Sequence, residues 1–376
     1  MIHVRNTLIP VSTLLLALLA APLRAEEVVR VFVSLDEEHS RQVLDDFEKE
    51  SGIRVEATYD TEADKTVGLV RKLIQQKSNP VTDVYWNNEI ATTIKLKLQG
   101  VLQPYRSPSA AEIPSEFKDP EGYWTGFAAR ARVLIVNTEL VKPDEMPRSM
   151  WDLCDPRWKG KVAMARPETG TTAAHASALY TLDEAKADQY FEKLIANDVI
   201  WLTGNGHVMR NVSSGLYAFG WTDTDDFRVA QLKGWPVTCV YPDAGEGEEG
   251  VLYIPNTLVL IKGAPHPEAG KKLIDWLLRP EIEARLAASA TAQIPVRPNV
   301  KVPDHVRRPD QVGAIMKVDW ERVGRDWDRW VDHTRSRIDA AGAENAESTL
   351  TWIIVAVGAV VLIAVVVLKR ATSEPT

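Results

Sequence analysis

The chain has 376 residues, two cysteines and seven histidines, with 52 acidic against 44 basic side chains and a formal charge of −8. That length is enough for two lobes with separate cores, and an acidic chain without a basic patch argues against nucleic acid as a partner. Two isolated cysteines, Cys154 and Cys239, with no histidine near them in sequence, do not read as a zinc site; outside the cytoplasm they are free either to pair or to stay as buried thiols.

At the N-terminus His3 and Arg5 precede an apolar run from Leu8 to Ala21, and small residues lead to Ala25 before Glu26 and Glu27. This order of charge, apolar core and small residues is that of a secretory signal peptide over residues 1–25. The body then alternates strand and helix. Val28 to Val33 reads as a buried strand. Glu37 to Glu50 reads as a helix, with Val43, Leu44 and Phe47 on one face and Gly52 past its end. Ile53 to Tyr59 and Val81 to Trp86 are the next strands, with helices over Thr66 to Gln76 and Ile90 to Gln99. This βαβαβα order predicts a mainly parallel, doubly wound sheet.

Tyr123 to Asn137 reads as two consecutive strands around Arg130, and a second α/β series follows from Trp151 to Tyr241. It holds strands over Lys161 to Ala165 and Tyr217 to Thr222, and helices over Thr172 to Leu182 and Asp183 to Asn197. Leu252 to Ile261 returns to strand, followed by helices over Pro267 to Leu278 and Glu281 to Ala288. Val318 to Ile338 is a helix punctuated by Trp320, Trp327 and Trp330. After a small-residue linker, residues 348–368 carry no charge, and Lys369-Arg370 follow at once. About 20 apolar residues span a bilayer, and the positive charge puts residues 369–376 on the cytoplasmic side. The expected topology is an exported body anchored by a C-terminal transmembrane helix.

In open α/β sheets ligands bind beyond the carboxyl ends of the strands. The segments there are Ser34 to His39, Asn87 to Glu89, Arg166 to Thr172, and Trp221 to Asp226. Asp36, Glu37, Glu89 and Asp223 to Asp226 each suit a helix N-cap or first turn. Together at one cleft they suit a hard cation or an ammonium-type solute. His39 is the one histidine beside these carboxylates. Glu168-Thr169-Gly170-Thr171-Thr172 opens a helix with small hydroxyl residues, a geometry that offers backbone N–H groups to an anion or is ordinary threonine capping. Asn205-Gly206, ahead of another helix, adds a possible donor. No nucleophile elbow, P-loop, HExxH or dinucleotide fingerprint is present.

Val31-Phe32-Val33, Phe47 to Val55, Thr82 to Glu89, Gly170-Thr171-Thr172, Ala218 to Asp226 and Gly263 to Pro267 together resemble family 1 extracellular solute-binding proteins, specifically the ferric-ion-binding group of bacterial ABC importers. The resemblance spans roughly residues 28–302. It implies a type II periplasmic-binding-protein fold, with a metal held by a histidine, a glutamate and two tyrosines beside a synergistic anion. In this chain the histidine position falls on Asp36, the glutamate on Glu89, the tyrosine pair on Asp225-Asp226, and the anion loop on Thr169-Gly170-Thr171. The phenolates are thus replaced by carboxylates, which suit iron(III) and also manganese, calcium or an organic cation.

The expectation is an α/β, two-lobed binding protein that is not an enzyme. Lobe 1 is residues 28–126 with 255–292, lobe 2 is residues 127–254 with 293–338, and residues 339–347 form a linker. It captures iron(III) or a related cation with an anion, or a small organic solute, by lobe closure. Ligand-binding candidates are Asp36, Glu37, His39, Glu89, Thr169, Gly170, Thr171, Asn205 and Asp223; metal candidates are Asp36, Glu89, Asp225 and Asp226. The implied partners are an ABC permease and ATPase as separate chains. The competing readings are a sensing ectodomain that regulates a partner membrane protein, and a metal-dependent hydrolase.

Overall fold

A computed structural model describes residues 27–35, 37–60 and 67–343. The signal peptide, Asp36 and the apolar segment 348–368 lie outside the described residues. Among the described residues no helix is long and apolar enough to cross a membrane.

The first part of the chain folds as read. Strands β1 (Val28–Val33), β2 (Arg54–Tyr59) and β3 (Val84–Asn87) pair in parallel, with helices α1 (Glu37–Ser51), α2 (Val67–Gln75) and α3 (Ile90–Leu98) as crossovers. The apolar stripe on α1 is the reason it docks: Val43, Leu44 and Phe47 are its buried face, and Phe47 meets Trp276 edge to face at 5.7 Å. A short β4 (Leu102–Gln103) follows.

Tyr123 to Asn137 does not form two strands. A single strand β5 (Thr125–Asn137) runs unbroken and buried throughout, with Ala128 absorbing the bend at a φ of 45°. The second series then builds β6 (Val162–Ala165), α4 (Gly170–Leu182), α5 (Glu184–Ala196), β7 (Ile200–Leu202), α6 (Asn205–Ser213), β8 (Phe219–Asp223), α7 (Thr224–Leu232) and β9 (Val237–Val240). β10 (Tyr253–Ile261), α8 (Pro267–Leu277) and α9 (Pro280–Ala288) complete the sheet and its cover. A last helix, α10, covers residues 320–343.

The strands run in the order β2-β1-β3-β10-β5-β8-β6-β7. The sheet is mixed where a mainly parallel one was expected. β6 pairs in parallel with β7 and β8, but β10 is antiparallel to β3 and β5, and β5 is antiparallel to β8. β5 joins the two halves: residues 125–131 pair with β10, and residues 132–136 pair with β8. The carboxyl ends of β1 and β3 on one side, and of β6, β7 and β8 on the other, therefore open toward a common gap.

Two close approaches set this frame. A Cβ on Gly220 of β8 would lie 2.5 Å from a methyl of Val208 and 2.6 Å from the Ala163 carbonyl, so only glycine lets α6 lie this near the sheet. A Cβ on Gly324 of α10 would meet Ile94 at 2.5 Å, which marks a tight crossing on α3. From there α10 runs on to α4 and α5: Trp330 stacks on Tyr180 at 4.8 Å, and Arg337 pairs with Asp188 at 2.9 Å. Cys154 and Cys239 are both free thiols, and burial pushes each up to about 12, so neither is a nucleophile.

Candidate functional site

A cavity of about 720 Å³ occupies the gap between the two halves. One wall is Ser34 and Leu35 after β1 and Asn88 after β3, with Arg130 of β5 at the junction. The other wall comes from three segments, 165–172, 203–210 and 223–226.

Each of those segments starts a helix. The first N–H groups of a helix have no partner inside it, and they carry the positive end of the helix dipole. Thr169 precedes α4 in extended conformation and makes no side-chain cap bond. Gly204, ahead of α6, has no side chain to cap with. Asp223, ahead of α7, makes no cap bond either, because its carboxylate is engaged elsewhere. The threonines and glycines that favour N-cap positions here open the helices without closing them, and the open N-termini of α4 and α6 face the cavity.

What engages Asp223 is a buried network under the cavity floor. Arg132, fully buried, meets its carboxylate at 2.6 Å. Thr171 donates to Asp223 at 2.5 Å, and the Asn205 amide donates to both Asp223 and Thr171 at 3.0 and 2.8 Å. Thr172 in turn donates to the Asn205 carbonyl oxygen at 2.9 Å. One guanidinium thus ties the end of β8 to the first turns of α4 and α6. Charged hydrogen bonds of this kind are the strong ones.

Asp225 and Asp226 lie beside this network in the first turn of α7. Asp226 accepts from Thr222 at 2.8 Å, and Asp225 lies 3.3 Å from Nε of Arg130. Oxygen atoms of Asp223, Asp225 and Asp226 lie within 4.8 Å of one another. Arg166, His207 and Arg210 add basic groups to the wall; Arg166 pairs with Glu168 at 2.5 Å and with Asp339 of α10. The cavity therefore has an electropositive pole, where the N-termini of α4 and α6 meet basic side chains, beside an acidic pole at the start of α7.

Of the residues singled out in the sequence, Thr169, Gly170, Thr171, Asn205, Asp223, Asp225 and Asp226 line this cavity. Glu89 does not. It is wholly buried and caps α3, accepting from the N–H groups of Ala91 at 2.6 Å and Thr92 at 2.9 Å; burial raises its pKa above the usual carboxylate range. Glu37 also falls outside the lining, because it sits in the first turn of α1 and pairs with Arg41. His39 turns to Glu38 at 3.1 Å. Sequence reasoning passed over Arg132 and the role of Arg130. The available signal was two arginines two residues apart, hence on one face, inside an otherwise apolar strand.

Glu89→Ala is expected to cost about 0.5–2 kcal/mol, as loss of a helix cap does, with ligand binding retained. Denaturant melts and a binding titration on one preparation check both. A pH effect comes from His175, buried on α4 with its ring 4.8 Å from Trp221. Burial first, and then the charge of Arg132, holds this imidazole well below the usual value of 6.5. The unfolded chain then binds the proton more readily than the folded one, so stability is full above about pH 6.5 and is lost as pH falls below it. Buried Glu89 and Asp243 are shifted upward and act in the opposite sense. The difference between the wild type and His175→Gln isolates the histidine: that difference is expected to shrink between pH 7 and pH 5.

The comparisons with known proteins agree with this architecture. The family model described as "Bacterial extracellular solute-binding protein" matches residues 92–323. The Fe(3+)-binding periplasmic protein of Serratia marcescens is 27% identical over 54% of this chain and 59% of its own length. A putative 2-aminoethylphosphonate-binding periplasmic protein of Salmonella typhimurium is 29% identical over 77% of this chain and 84% of its own. Among solved structures, the apo ferric ion-binding protein A of Pasteurella haemolytica superposes with a TM-score of 0.72 at 20% identity, covering 83% of this chain and 98% of that one. The fold is that of the periplasmic binding proteins, and the chain belongs to the bacterial extracellular solute-binding proteins.

Proposed function

We propose that this chain is the capture component of an ABC importer, and that its cleft takes a small organic solute bearing an oxyanion and a positive charge. The observation that carries this reading is the pair of uncapped N-termini, α4 and α6, facing one cavity together with Arg166 and Arg210. Such termini bind phosphate, phosphonate and carboxylate groups through backbone N–H donors. Asp225 and Asp226 supply the negative charge that would draw an ammonium group to the same cavity. An aminophosphonate has both features, in keeping with what the Salmonella relative is named for.

In this reading residues 28–126 with 255–292 form one lobe and residues 127–254 with 293–338 the other. They close on the solute by bending at β5 and β10. The permease and the ATPase are separate chains, and residues 348–368 hold the body at the membrane. A second reading, iron(III) or a related cation held with an anion, is favoured by the three clustered carboxylates. It is the weaker one, since Asp223 already accepts from Arg132, Thr171 and Asn205, and a metal would have to displace these donors.

Calorimetric titration of the purified protein with 2-aminoethylphosphonate, inorganic phosphate, and iron(III) with phosphate decides between the two. The expected result is one-to-one binding of 2-aminoethylphosphonate, weaker binding of phosphate, and no gain from iron(III). Binding seen only when iron(III) is supplied would overturn the organic-solute reading.

A further inference from the structure

Arg130 and Arg132 leave β5 on the same face, yet they are held differently. Arg132 is sealed, with Asp223 at 2.6 Å and two threonine hydroxyls nearby. The Arg130 side chain is only 4% exposed, and still it lines the cavity. Its terminal nitrogens reach the Asn88 carbonyl and the Asn256 side chain, each at 3.1 Å. Its Nε, like that of Arg132, is buried without a hydrogen bond, but here a cavity-lining carboxylate, Asp225, approaches it at 3.3 Å, off hydrogen-bond geometry. A guanidinium has five donors, so this one keeps capacity that its present neighbours do not use.

Asp225 is the looser partner of the two ion pairs. Its side chain is 17% exposed, against 4% for Asp223; its Oδ1 accepts from the Asp226 N–H at 3.0 Å, and the Gln293 amide reaches its Oδ2 at 3.4 Å. Arg130 also draws on both halves of the molecule: Asn88 and Asn256 lie on the β3–β10 side, and Asp225 lies on α7. A group entering between the halves meets this pair at their junction.

We propose that Arg130 is a specificity-determining residue of the cleft, and that Asp225 is its resident counterion, exchanged for an oxyanion oxygen of the solute on binding. Asp225, once released, becomes the partner of the solute's ammonium group. The exchange lets one buried pair read both charges of a zwitterion, and it disfavours a solute that brings only one. This rests on the oxyanion reading above.

The test uses calorimetry on the full chain with 2-aminoethylphosphonate and with inorganic phosphate. Arg130→Lys keeps the charge but loses the planar fork, and is expected to weaken both probes by at least about tenfold. Asp225→Asn frees Arg130 and is expected to tighten inorganic phosphate several-fold. The same change in Asp226, which removes an equal charge and keeps the Arg130–Asp225 pair, is expected to do so clearly less. Asp225→Asn also narrows the preference for 2-aminoethylphosphonate over phosphate. If Arg130→Lys does not fold, the comparison of Asp225→Asn with Asp226→Asn decides alone. Equal effects of those two variants, or wild-type affinity in Arg130→Lys, overturn the exchange and leave the oxyanion reading standing. A wild type that binds neither probe removes both.

Discussion

Arg132→Ala is expected to lower the stability of this protein by about 3–5 kcal/mol, the range for breaking a buried ion pair from one side. The side chain is 0% exposed, and its partner Asp223 is 4% exposed. Alanine would leave the carboxylate with only the Thr171 and Asn205 donors and a void beneath it. Asp223→Ala should cost as much, since it strands the guanidinium instead. Removing both charges together, as Arg132→Met with Asp223→Leu, should restore much of the loss, because a buried pair and an apolar pair of similar volume differ little. Binding should not recover in that double variant. Thr171 and Asn205 lose their common anchor, and with it the aim of the α4 and α6 N-termini. Chemical denaturation alongside a phosphonate titration separates the two effects: stability returns and affinity does not.

Glu283→Ala is expected to be as costly, at about 3–5 kcal/mol, for a different structural reason. Glu283 of α9 is 0% exposed and accepts from Arg297 at 2.6 Å and from the N–H groups of Ala128 at 3.1 Å and Val296 at 2.9 Å. Ala128 holds a φ of 45° within β5, a conformation that an alanine keeps only when its surroundings impose it. Glu283 thus pins the bend in the strand that joins the two halves. Arg297 donates onward to the Ser109 and Leu278 carbonyls at 2.5 and 2.6 Å, so the loss spreads beyond one pair. Glu283→Gln keeps the shape and one acceptor, and should cost less than the alanine. Melts of the two variants provide the check.

The periodic elements of this chain are legible in its sequence. The stripe of Val43, Leu44 and Phe47 and the stop at Gly52 gave α1 to within a residue, and the alternation of strand and helix gave the α/β class. The opening of α4 at the cavity was legible too, because Thr169-Gly170-Thr171-Thr172 is a local signal at a strand end. Three features escaped, each decided by contacts distant in sequence. Arg130 lies in an apolar run, and propensity cannot tell a kinked pair of strands from one long strand whose bend is fixed by Glu283, 155 residues away. The mixed sheet follows from β10 returning between β3 and β5, which no local pattern encodes. Glu89 looked like a ligand because it follows a strand, yet the same position is an N-cap, and the buried cap bonds to Ala91 and Thr92 took the carboxylate.

A bound solute is expected to place its oxyanion at the N-termini of α4 and α6 and its positive charge toward α7. A crystal structure of the protein saturated with 2-aminoethylphosphonate tests it most directly. The predicted result is the phosphonate oxygens within hydrogen-bond distance of the N–H groups that open α4 and α6, with the ammonium group against Asp225 and Asp226. A phosphonate found elsewhere, or a cleft that stays empty while Asp223, Asp225 and Asp226 ligate a metal ion, would contradict it.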